Sequence, residues 1–289
     1  MNMPPLIRVP QITSDELDEL SYAKSLLEHP GLTARLAGLI GGPLEKGFDL
    51  LPRGWSAAVQ KATGAALLQA LKLAVVTMGV RNRRKSSELW HKVLVGASGG
   101  IGGAFGLAAL PIELPLSTTL MLRSIADIAR SEGHDIGALN TKLACLEVFA
   151  LGGRSASDDA TESSYWAVRA ALAKAISEAA AYLAERGVIE KSAPAILRLI
   201  TSLSSRFGMI VSEQVAAKAV PVVGAAGGSV INILFINHFQ DMARGHFIVK
   251  KLETRYGVET VRTLYEAASY RSTKGRGAVS RRGAPARRS

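Results

Sequence analysis

Apolar positions recur along most of this chain with the three- to four-residue spacing of helices, and the strict alternation of a half-buried strand is missing. Thr13 and Glu16 stand three apart ahead of an apolar run, a capping-box pair that predicts an acidic helix reaching about Glu28. A long amphipathic helix is expected from Arg53 to Met78. Another opens at Ser157, with Asp158 and Asp159 in its first turn, and stops at Gly187. Further helices are expected over 116–131, 141–151, 193–206, 209–219, 222–244, 247–256 and 258–269. Short apolar runs such as Val93 to Val95 cannot be assigned by periodicity alone. The pattern predicts an all-α protein in three parts: an N-terminal helical extension (1–42), a compact multi-helix domain (43–270) and a tail (271–289) too poor in apolar residues to fold.

Two glycine-rich stretches interrupt this regularity. Residues 93–112 carry no charge and six glycines, and lead into Pro111, Glu113, Pro115 and a helical pattern ending Asp127-Ile-Ala-Arg130. Residues 220–244 repeat the plan, with Gly224 and Gly228 four apart and an ending Asp241-Met-Ala-Arg244. Two apolar hairpin arms in pseudo-symmetric arrangement are therefore expected. Gly96 with Gly100, and Gly99 with Gly103, place stripes without Cβ on one helix side, where a second backbone can approach closely. Arg123, Asp127, Arg130, Asp241 and Arg244 are expected to form ion pairs on buried helices.

The same glycines admit a phosphate-cradle reading, since Gly96, Gly100 and Gly102 match the GxxxGxG spacing of an NAD(P)-binding oxidoreductase. That site needs a long uninterrupted helix after the glycines and usually an acid some twenty residues on. Pro111 and Pro115 are expected to cut the helix short, and Glu113 is the only carboxylate between residues 93 and 126. Close packing is the reading the context favours.

Several stretches together are more specific: Ser98-Gly99-Gly100, Leu110-Pro-Ile-Glu-Leu-Pro115, the run from Thr118 to Arg130, Cys145-Leu-Glu-Val-Phe-Ala-Leu-Gly-Gly-Arg154, and His238-Phe-Gln-Asp-Met-Ala-Arg-Gly-His246. On these residues the chain resembles the EcsC protein family, from about Leu51 to about Ala268. The resemblance implies a bacterial membrane context, as an accessory to an ABC-type transporter or a secretion system, and brings no catalysis, ligand or cofactor with it.

Charge sharpens the functional picture. The net +11 of the 289 residues is unevenly spread. Between Leu50 and Ser87 stand Arg53, Lys61, Lys72, Arg81, Arg83, Arg84 and Lys85 with no acid, and from Arg271 onward seven more basic residues stand without one. A basic helix bearing Trp55, followed by a basic cluster, suits an anionic membrane surface, at about 1 kcal/mol per basic residue. A core helix with a solvated basic face is the plainer alternative, and the sequence leaves both open. Residues 93–112 have the length to cross a bilayer, but their glycines offset most of the apolar gain. Nucleic-acid recognition is not expected, because no aromatic residues are interleaved with the basic ones in the tail. One cysteine, Cys145, excludes an internal disulfide and suits a reducing cytoplasm, and the N-terminus does not read as a secretory signal.

Catalytic constellations are sparse. His238, Asp241 and His246 are candidate metal ligands without a second cluster to complete them. Glu113 and His238 are candidate acid–base groups of a hydrolase-like pocket where the two Asp-x-Ala-Arg segments meet. The reading reached from sequence is a non-enzymatic, membrane-associated protein at the inner face of the cell membrane.

Overall fold

A computed structural model describes residues 12–28, 32–77, 110–152, 164–220 and 224–268. Within them the chain is all helix, with no strand. The helices are α1 (Ser14–Glu28), α2 (Leu32–Ile40), α3 (Glu45–Asp49), α4 (Trp55–Thr77), α5 (Leu110–Ser131), α6 (Leu139–Glu147), α7 (Ser164–Arg186), α8 (Pro194–Ala219), α9 (Gly224–Tyr256) and α10 (Val258–Ala267). A single 3-10 turn, Val148–Ala150, follows α6. The cluster Arg81 to Lys85, the glycines Gly96, Gly100, Gly102 and Gly103, and the tail 271–289 lie outside the described residues, so the arm that precedes α5 does too.

The capping box forms as its spacing demands. Thr13 donates its backbone N–H to Glu16 Oε2 at 2.9 Å, and Glu16 returns its N–H to Thr13 Oγ1 at 3.3 Å. The same carboxylate binds Arg255 and accepts from the Tyr256 hydroxyl at 2.7 Å, which joins the start of α1 to the end of α9. These hydrogen bonds, that from the Thr13 backbone foremost, hold its pKa down at about 2. Leu20, Ala23 and Leu27 of α1 and Leu32 and Leu36 of α2 are buried in the same core as the rest, so the segment expected as an extension is built into the body.

Three expected interruptions are not there. Pro115 sits inside α5 as its sixth residue and does not shorten it; the helix forgoes one hydrogen bond, to the Pro111 carbonyl in the first turn, and runs on to Ser131. The segments 193–206 and 209–219 are one helix, α8, and 222–244 and 247–256 are one helix of 33 residues, α9. The glycines that fall in the two expected gaps, Gly208 and Gly245, are notches where helices cross. A Cβ on Gly208 would lie 2.7 Å from Gln60 Nε2 of α4, and one on Gly245 would lie 2.7 Å from Leu27 Cγ and 3.0 Å from the Ala23 carbonyl oxygen of α1. A glycine that breaks a helix and one that admits a neighbour look alike in sequence. At Gly257 the breaking role is real: φ of +82° turns α9 into α10.

Contacts along the helices set their directions. Gln60 meets Gly208 and Gly64 meets Ser204, so α4 runs antiparallel to α8. Gln214 of α8 donates to Asn232 of α9 at 3.0 Å, and Phe207 packs on both Phe235 and Phe239, so α8 and α9 form an antiparallel pair. Gln240 donates to Ser124 at 2.9 Å, and the His134 ring reaches the Phe247 carbonyl at 2.9 Å, so α5 lies beside α9 and runs parallel to it. One end of the bundle therefore gathers the starts of α4, α5 and α9 with the close of α8, and Lys218 of α8 pairs there with Glu113 of α5 at 3.4 Å. The core is centred on the 3-10 turn, whose Phe149 packs against Phe207 and Phe239 at centroid distances of 5.1 and 5.5 Å.

The glycine notches differ in what a side chain would strike, which orders their sensitivity. At Gly47 a Cβ would collide with the backbone carbonyl of Ala216, which cannot step aside, whereas at Gly208 it meets only the flexible Gln60 side chain. Alanine should destabilise most at Gly47, less at Gly245 and least at Gly208, within about 1–3 kcal/mol overall. Denaturant midpoints of the three variants check the order, and a Gly208→Ala variant weaker than Gly47→Ala contradicts it.

Candidate functional site

The apolar run from Leu143 to Gly153 contains one charged residue, Glu147, and the helix that opens α7 contains Arg169 among alanines and aromatics. Helical packing turns both inward. Glu147 from α6, Tyr165 and Arg169 from α7, and His246 and Glu253 from α9 meet in one buried cluster. The Arg169 guanidinium donates to both oxygens of Glu253, at 2.5 and 3.0 Å, in the bidentate arrangement its planar fork favours. Its Nε faces Glu147 Oε1 at 3.9 Å, and Nη1 donates to the Tyr165 hydroxyl at 3.3 Å. That hydroxyl lies 3.1 Å from His246 Nδ1, and His246 Nε2 faces Glu147 Oε2 at 3.5 Å. If Tyr165 accepts from Arg169 and donates to Nδ1, the remaining imidazole proton sits on Nε2 and points at Glu147. The polar groups thus close a ring. Arg169 also stacks over the Trp166 ring, 4.9 Å from its centroid.

Burial governs the chemistry of this ring. It pushes the Glu147 carboxyl up from its usual range, against the pull of Lys250 and Arg169, and it pushes the His246 imidazole well below its own, helped by the same two cations. The Tyr165 hydroxyl is raised, by burial first and then by the charges of Glu253 and Glu147. His246 is therefore neutral and Tyr165 protonated at neutral pH. These are acid–base side chains, yet Glu147, Tyr165 and His246 are all sealed from solvent. A shallow depression between α5 and α9, lined by Met121, Ser124, Ile125, Ile236, Phe239 and Gln240, shares no residue with them. What the arrangement does physically is fix three helices in register.

The residues expected to carry a site fall elsewhere and mostly apart. His238 is buried on α9 against the Leu151–Gly152 turn, where Gly152 adopts φ of +78° and a Cβ would lie 2.6 Å from His238 Nε2. Asp241 faces Arg35 at 3.5 Å, and His246 belongs to the ring, so the three proposed metal ligands point to three places. No group of three His, Cys, Asp or Glu suited to a metal occurs among the described residues. Glu113, half-exposed at the start of α5 and paired with Lys218, does not meet His238 in one pocket. The Asp-x-Ala-Arg segments are not buried ion pairs. Asp127 binds Arg130 at 2.8 Å on the outward side of α5, Arg123 is exposed, and Arg244 faces Glu132 at 3.7 Å. Those positions fall on the solvent stripe of each helix, while the true buried pairs needed Glu147, Arg169 and Glu253. Gly224 and Gly228 lie in the first turns of α9.

Of the basic residues, Arg53 and Lys61 are exposed and Lys72 half-exposed. Arg53 precedes α4, which begins only at Trp55. The 23 residues of α4 rise about 34 Å, and the cluster Arg81 to Lys85 lies outside the described residues. Cys145 is buried, and burial pushes its thiol up to about 12, which leaves it unreactive.

The sequence model of the EcsC protein family matches residues 16–252, from the first turn of α1 to near the end of α9. The chain belongs to the EcsC protein family. Its match starts well upstream of Leu51, consistent with the packing of α1 and α2 into the common core. Every member of the buried ring except Glu253 lies inside the matched span. No curated protein and no solved structure matches this EcsC chain.

Removing Arg169 would leave two carboxylates buried without their cation. Arg169→Ala should therefore cost about 3–5 kcal/mol, against no more than about 1 kcal/mol for Asp127→Ala on the surface. Equal thermal midpoints for the two variants refute the ring as the anchoring element. A second expectation concerns pH. Burial, with a smaller contribution from Arg35, lowers the His238 pKa from 6.5 to about 4. The folded state thus binds this proton more weakly than the unfolded chain, so its contribution is complete above about 6.5 and is lost as pH falls toward 4. His246 acts in the same sense and Glu147 in the opposite one. Thermal melts across this window should show a shallower loss for His238→Gln than for the parent, and parallel pH profiles count against it.

Proposed function

We propose that this protein is a non-enzymatic accessory of a bacterial membrane transport or secretion system, acting at the cytoplasmic face of the membrane as a peripheral or partly embedded protein. The observation that carries the reading is the uneven charge: two acid-free segments hold fourteen basic residues, leaving the rest of the chain slightly acidic. Such segments are drawn to anionic lipid headgroups. Membership in the EcsC family is in keeping with a transport context, and the acid–base side chains that the fold brings together are closed off in a structural ring. Among the described residues one helix, α8, is long and apolar enough to cross a membrane, and 44% of its apolar window is buried inside the bundle.

Purified full-length chain should cosediment with vesicles containing anionic lipid, and added salt should weaken that binding as the Debye length falls below about 10 Å. Changing Arg81, Arg83, Arg84 and Lys85 together to glutamine should weaken this binding. Failure to sediment with either anionic or neutral vesicles rejects the membrane reading.

A further inference from the structure

Following the outward side of α9 from its start, the residues are Val230, Ile233, Asn237, Asp241 and Arg244, spaced three or four apart on one stripe. Val230 and Ile233 are 40% and 48% exposed, large apolar side chains with no cover among the described residues. Farther along, the same stripe becomes polar and then charged. The outward side of α5 repeats this: Leu116 is 54% exposed, and the stripe continues through Arg123, Asp127 and Arg130. Because α5 and α9 run parallel and Ser124 lies level with Gln240, Leu116 lies level with Asn232 and Ile233. Two neighbouring helices therefore change from apolar to charged at the same height. Leu50, 55% exposed after α3, stands at the same end, since Gly47 packs on Ala216 near the close of α8.

The sequence leading into both helices continues the trend. Residues 93–112 before and into α5, and 219–236 before and into α9, carry no charge, and each has close to the length that spans hydrocarbon. Parallel packing brings the described parts of both segments, the opening turns of α5 and α9, to one end of the bundle, a juxtaposition that their separation in sequence does not reveal. The ion pair of Glu113 with Lys218 at this end is matched across two helices, whereas Glu45, Lys46, Asp49 and Arg53, exposed around α3 and the start of α4, keep that side of the end in water and confine the apolar entry to the side of α5 and α9.

We propose that this end of the bundle, marked by Leu116, Val230 and Ile233, is the face that enters the hydrocarbon edge of a lipid bilayer, with the charged halves of α5 and α9 held in water. The proposal rests on the membrane reading above and adds the orientation. An apolar face seated in this way lies some 5–10 Å below the headgroups, and apolar burial, unlike headgroup attraction, survives salt.

The single native cysteine is buried and inert, so the full chain accepts a second, reactive cysteine for labelling. An environment-sensitive fluorophore is placed singly at Leu116→Cys, Val230→Cys and Ile233→Cys, and as controls at Val188→Cys, Leu197→Cys and Val258→Cys, exposed apolar positions at the opposite end. Vesicles of mixed phosphatidylcholine and phosphatidylglycerol, with and without brominated acyl chains, are the probe. The first three labels should shift to the blue on binding and lose emission with brominated chains, while the controls do neither. Cosedimentation without quenching at the first three sites, or equal quenching at both ends, overturns the orientation and leaves membrane association standing. Labels already shielded without vesicles overturn it as well, assigning the face to a second copy if dilution exposes them and to the chain's own remaining segments if it does not. Absence of cosedimentation by all six labelled chains removes the membrane reading and the orientation with it.

Discussion

The fold depends on a cation that has nowhere to go but between two carboxylates. Arg169 is fixed by Glu253 on one side and faces Glu147 on the other, and each of the three sits on a different helix. A buried guanidinium tolerates few alternative partners, so α6, α7 and α9 cannot slide past one another without exposing an unpaired charge to an apolar interior. Tyr165 bridges Arg169 to His246 Nδ1, and His246 Nε2 faces Glu147 at 3.5 Å. Apolar packing among leucines and phenylalanines supplies most of the driving force, but such contacts adapt to small shifts, and this ring does not.

Close approach is the second constraint. The bundle is rich in alanine and glycine, and its helices meet where side chains are missing: α1 against Gly245, α4 against Gly208, α8 against Gly47. Each glycine in a helix costs about 1 kcal/mol relative to alanine, and that cost is offset by the dispersion contacts of a nearer neighbour. The polar ring and the glycine notches are complementary, one setting register along the helices and the other setting the distance between them.

How much of this can be read from the chain differs by element. The capping box at Thr13 and Glu16, the stop at Gly187 and the all-helical class follow from local spacing, because they depend on residues a few positions apart. The continuity of α8 and α9 does not, since Gly208 and Gly245 act through partners that are near only after folding. The buried ring is not among the readings of the sequence, although one signal of it is there: Glu147 is the one charge in a long apolar run, and such a residue is either a site or a buried pair. Its partners Arg169 and Glu253 lie on later helices, and nothing in local spacing joins them. The Asp-x-Ala-Arg repeats drew notice for being repeated, yet they occupy the solvent stripe. Repetition in sequence marked related positions on α5 and α9, without marking which side of the helix they face.

The attachment of α1 bears on how the chain is made. Its apolar face, Leu20, Ala23 and Leu27, packs on α9, and its Glu16 is claimed by Arg255 and Tyr256. A ribosome delivers α9 more than two hundred residues after α1, a wait of roughly 10–50 s at ordinary rates of synthesis. During that interval the first helix has no docking surface, and its leucines are open to chaperones or to neighbouring nascent chains. The reciprocal hydrogen bonds between Thr13 and Glu16 need no distant partner, so the helix can hold its start unaided until the last long helix emerges to receive it. Assembly of this body is thus a closure of its first helix onto its last long one, completed only when α9 has been made.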